Sequence, residues 1–71
     1  MEFTDINSTM IDKVAFDNNR GMFVQFKTTG QLYNFPDVPK ELYEQFLAAP
    51  SQGKFFSAQI KNKFSFTKTE E

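Results

Sequence analysis

Neither cysteine nor histidine occurs in the 71 residues. Disulfide staples are therefore excluded, and so are the cysteine and histidine ligand sets that hold structural zinc. The same two absences remove the usual nucleophile–base pairs, in which a serine or cysteine is activated by an imidazole. Asp12 and Asp17 remain as a carboxylate pair, but they belong to no recognisable acid–base constellation. Asp37, Glu41 and Glu44 follow helical spacing and read as a solvated face. The three glycines are isolated from one another, so no glycine-rich loop is available to cradle phosphate. These gaps predict a chain that is not an enzyme and carries no cofactor. No apolar run approaches the roughly 20 residues that span a bilayer, which predicts no membrane partner. The start, Met-Glu-Phe-Thr-Asp, lacks the basic and apolar regions of a signal peptide, so the expected location is the cytoplasm.

What the chain does have is ten phenylalanines and two tyrosines. A domain this short buries only about 60% of its unfolded surface, and each aromatic ring can bury some 150–250 Å². The rings therefore read first as core. Charge is unevenly placed. Residues 1–50 carry Lys13, Arg20, Lys27 and Lys40 against seven acids, whereas Ser51 to Thr69 holds Lys54, Lys61, Lys63 and Lys68 with no acid. A basic terminal third of this kind fits either a solvated face or a polyanion contact.

Periodicity predicts an α+β domain: a three-stranded antiparallel β-meander followed by two helices packed on one face. Strand signals run over residues 11–16, where the alternation breaks at Asp12-Lys13 and implies a bulge or a later start. Asp17 to Gly21 is a hairpin loop. Met22, Val24 and Phe26 then alternate with Phe23, Gln25 and Lys27 in a second strand, and Gln31 to Phe35 is a third. Met22, Val24, Phe26, Tyr33 and Phe35 are expected to face the core. Phe23 and Leu32 share the other face, which a second copy of the chain or a stacked ligand is expected to cover, leaving Phe23 more exposed than Phe26. Pro39 opens a helix whose stripe is Leu42, Tyr43, Phe46 and Leu47. Ser51 is placed to cap a second helix to about Asn62, burying Phe55, Phe56 and Ile60. The predicted core is Val24, Phe26, Tyr33, Leu42, Phe46, Phe55 and Ile60. Residues 1–7 and 67–71 are expected to be mobile ends of a single domain.

The residues Tyr33-Asn34-Phe35, Met22-Phe23-Val24-Gln25-Phe26, Val38-Pro39 and Ala49-Pro50-Ser51-Gln52-Gly53-Lys54-Phe55-Phe56 occur in an order that resembles the KTSC family. That family is a short domain named for its place at the C-terminus of some lysyl-tRNA synthetases, and it also occurs as a free-standing protein of bacteria and phages. The resemblance spans about residues 8–66. Phe35 stands where the family has its second tyrosine, and Ala15 where it usually has glycine. The resemblance implies RNA binding.

The residues themselves offer two routes to such a ligand. Bases can stack on Phe23 or Tyr33. Phosphates can meet the start of the second helix at Ser51, Gly53 and Lys54, with Lys61 and Lys63 about two turns on for an extended ligand. The expected function is thus a small non-enzymatic module that binds RNA or a phosphorylated small ligand. The competing expectation is a protein-interaction module: a homodimer, a phage-borne inhibitor of a host factor, or a nucleotide-sequestering protein.

Overall fold

A computed structural model describes residues 2–69 of the chain. The fold is α+β, with one antiparallel sheet and two helices, but the sheet has five strands in sequential order instead of three. These are β1 (Thr4–Asp5), β2 (Ile11–Asp17), β3 (Gly21–Phe26), β4 (Leu32–Phe35) and β5 (Thr67–Thr69). The helices are α1 (Lys40–Ala48) and α2 (Gln52–Phe56), the latter running into a π-helical turn over Ser57–Lys61. Both additional strands come from the segments read as mobile ends: β1 pairs with β2, and β5 pairs with β4. Strands of two and three residues are too short to show a period-2 pattern, so only the partner strand reveals them. Met1, Glu70 and Glu71, also assigned to those ends, lie outside the described residues.

The three central strands are as the alternation predicts. A register shift between Ile11 and Lys13 marks a bulge at Asp12, and its extra residue turns Ile11 to the side of Val14 and Phe16. The β2–β3 hairpin closes through an Asx-turn in which the Asn19 and Arg20 amides donate to Asp17 Oδ1 at 2.7 and 3.2 Å. Gly21 follows with φ +84°, and a Cβ there would lie 2.3 Å from the Phe35 carbonyl oxygen. Only glycine supplies both the dihedral and the clearance.

The main core lies between the sheet and the helices. Val24, Phe46 and Ile60 are fully buried, while Phe26, Tyr33, Leu42 and Phe55 are half-buried against the same cluster. Met22, Phe35 and Phe56 also join it from the predicted faces, and Ile6 and Val38 complete it from loops that carry no periodicity. Tyr43 on α1 stacks on Phe16 with ring centroids 5.2 Å apart. Burial pushes its hydroxyl above the ordinary tyrosine pKa, and a hydrogen bond with Thr4 of β1 pulls the other way.

The far face of the sheet departs from expectation. Phe23 is only 3% exposed and is more buried than Phe26, reversing the predicted order. It forms a second apolar cluster with Ala15 and Leu32, against which Phe3 packs. The Lys13 ammonium lies 5.1 Å from the Phe3 ring centre, a cation–π contact on the outer side. The chain thus covers its own far face with the residue that precedes β1. Among the described residues, no helix is long and apolar enough to cross a membrane.

Candidate functional site

Five aromatic rings converge at the open end of the main core. Phe26 meets Tyr33 edge-on at 5.4 Å, Tyr33 meets Phe66 at 5.2 Å, and Phe66 tilts across Phe35 at 5.3 Å. Phe35 contacts Phe56 at 5.5 Å, and Phe56 returns to Phe26 at 5.6 Å, closing the circuit. Such edge-on contacts join the positive rim of one ring to the negative face of another. Phe26 and Tyr33 come from adjacent strands, Phe56 from α2, and Phe66 from the residue just before β5. Together with Met10, Thr28, Thr29 and Lys61 they line a cavity of about 250 Å³. That is below the roughly 300–1,000 Å³ of ordinary ligand clefts and fits a single ring system. Phe66 is 47% exposed at the wall of this cavity, alone among the large apolar side chains described.

A second, larger cleft of about 960 Å³ lies between the loop before β2 and the start of α2. Its lining is mixed: Asn7, Ser8, Thr9, Ser51, Gln52 and Lys54 stand beside the apolar Met10, Pro50 and Ala58. Ser8 organises it: its hydroxyl oxygen accepts from the amides of Met10 at 3.1 Å and Ile11 at 3.3 Å. A Cβ added to Gly53 would stand 3.2 Å from that same oxygen. The glycine therefore leaves room for the Ser8 hydroxyl.

The residues singled out from sequence are split by the fold into separate places. Ser51, Gly53 and Lys54 line the larger cleft, although Ser51 makes no side-chain cap hydrogen bond to α2. Tyr33 and Lys61 line the aromatic cavity. In an unbroken α-helix Lys54 and Lys61, seven positions apart, would share a face. The wider π turn intervenes between them, and Asn62 Nδ2 donates to the Ser57 carbonyl at its start, 3.3 Å away. Lys63 falls beyond that turn and donates to Gln59 Oε1 at 3.3 Å. Phe23, buried under Phe3, has no face left for a ligand. Sequence reasoning missed Phe26 and Phe66 as site residues. The alternation of Phe64 with Phe66 was the available signal, but the pairing of β5 with β4 determines where Phe66 lands.

Comparison with known proteins matches this geometry to a family. The chain superposes on the crystal structure of KTSC domain protein YPO2434 from Yersinia pestis with a TM-score of 0.89 and 28% sequence identity, over 97% of each chain. A search of curated proteins finds no match. The KTSC domain profile matches residues 7–64, most of the polypeptide, and the chain belongs to the KTSC domain family.

Proposed function

We propose that this chain is a small non-enzymatic binding module for RNA, taking an unpaired base into the aromatic cavity. The observation that supports this reading is the distribution of charge around the two cavities. Of the nine acids, Glu70 and Glu71 lie outside the described residues; among the described residues neither cavity is lined by an acid, and each is lined by a lysine. Each cavity thus offers one ammonium to a phosphate in a protein whose overall pI is about 5.3. Aromatic rings beside a cation are the pairing that single-stranded nucleic acids use, with stacking for the base and ammonium for the backbone.

Titration with short single-stranded RNA, followed by fluorescence anisotropy at low and moderate salt, tests the reading. Stacking is worth about 1–3 kcal/mol per base, so Tyr33→Ala should weaken binding by about 5- to 150-fold in protein shown to be folded. Each phosphate contact should add about −0.7 to the slope of log affinity against log salt. Affinity indifferent to salt and to both Tyr33→Ala and Lys61→Glu would contradict it.

A second reading is supported by Phe66 and β5. The short edge strand β5, with the exposed Phe66 just before it at the wall of the aromatic cavity, offers an extended peptide a sheet edge to pair with and an apolar contact beside it. In that case a protein segment is the ligand, and binding should survive moderate salt.

A further inference from the structure

The two cavities share a wall: Met10 lines both of them. Its backbone is fixed on both sides, because its amide donates to Ser8 Oγ at 3.1 Å and its carbonyl accepts from the Lys27 amide at 2.9 Å. Only its side chain is free to adjust, and its methyl carbon comes within 3.9 Å of where a Cβ on Gly53 would stand. An unbranched thioether with three rotatable bonds is suited to moulding itself to what lies across it.

The chemistry of the two spaces is complementary. The aromatic cavity, at about 250 Å³, holds one ring and has few polar groups beyond Thr28, Thr29 and Lys61. The neighbouring cleft is almost four times larger, at about 960 Å³, and presents hydroxyls, amides and Lys54. Hydroxyls and amides donate to and accept from sugar and phosphate oxygens, whereas an isolated ring would leave them unused. Lys54 and Lys61 stand about 10 Å apart along the helical segment and front different cavities.

Resting on the RNA-binding reading above, we infer that the two cavities are consecutive stations for one ligand. That ligand is a single-stranded oligoribonucleotide instead of a mononucleotide. One base occupies the aromatic cavity beside Lys61, the backbone crosses Met10, and the adjoining sugar–phosphate enters the larger cleft beside Lys54. Met10 is the positioning residue of the crossing.

The test is a length series of oligouridylates and oligoadenylates, from mononucleotide to hexanucleotide, titrated at low salt. It uses wild type, Lys54→Glu, Lys61→Glu and Lys40→Glu. All three lysines are exposed, and Lys40 begins α1, outside both cavities. Affinity is expected to rise at least about tenfold between the mononucleotide and the tetranucleotide. Lys54→Glu should cancel most of that rise, Lys61→Glu should weaken every length, and Lys40→Glu should change little. The Met10 methyl resonance should shift with the tetranucleotide more than with the mononucleotide. Affinity independent of length, or a Lys54→Glu effect equal to that of Lys40→Glu, would overturn the shared path while leaving RNA binding intact. Failure of every oligonucleotide to bind wild type would overturn both.

Discussion

Gly21 and Gly30 have the same unusual dihedral and opposite surroundings, which makes them a controlled comparison. Gly21 has φ +84° with the Phe35 and Pro36 backbone inside 3 Å of a notional Cβ, whereas Gly30 has φ +71° and nothing within 4 Å. Left-handed backbone costs an L-residue about 1–2 kcal/mol, and Gly30→Ala should lose about that much. Gly21→Ala must in addition push β3 away from the end of β4, so it should lose clearly more. At about 4–8 °C per kcal/mol for a chain of this size, thermal melting separates the two. Equal melting temperatures would mean that the β3–β4 approach is not rigid. The turn at Gly21 was legible from its neighbours Asp17 to Arg20. The difference between the two glycines was not, because the atoms that crowd Gly21 lie fourteen and fifteen residues away.

At the scale of elements, the informative part is the short segment around β1. Phe3 packs over Phe23, Leu32 and Ala15 on the sheet's far face, and Ile6 enters the main core from the other side of the same segment. Placing a carboxylate at Phe3 would remove that cover and put a charge beside apolar surface. Phe3→Asp should therefore destabilise the fold by about 1–3 kcal/mol and leave Phe23 and Leu32 available to a second chain. Sedimentation should then show self-association rising with concentration in the variant beyond that of wild type. An unchanged melting temperature and sedimentation profile would show that Phe3 contributes no cover. The sequence correctly marked Phe23 and Leu32 as a face that must be hidden. It could not name Phe3 as the cover, since a two-residue strand has no pattern of its own.

For the whole molecule, the sheet holds one cluster on each face within a radius of gyration of 10.8 Å. A compact chain of this length is expected near 11 Å. Phe46 is fully buried in the larger cluster, and Phe46→Ala should cost about 3–5 kcal/mol. Total stability for such a chain is about 4–11 kcal/mol, so the variant should lose a large share of its urea resistance. A denaturation midpoint close to that of wild type would contradict the packing of α1 on the sheet. The sequence by itself determined the class of the fold, because alternation in Met22 to Phe26 and helical spacing from Leu42 to Leu47 each admit one backbone period. It left a bulge or a later strand start open at Asp12, and it determined that Ser51 to Thr69 carries lysines and no acid. Only the tertiary structure decided that the sheet has five strands and that Phe23 is covered. It also brought Tyr33, Phe56, Lys61 and Phe66 to one cavity while Lys54 went to another. Those outcomes depend on which edges pair and on the π turn that lies between Lys54 and Lys61, and a long-range strand partner leaves no local period to read.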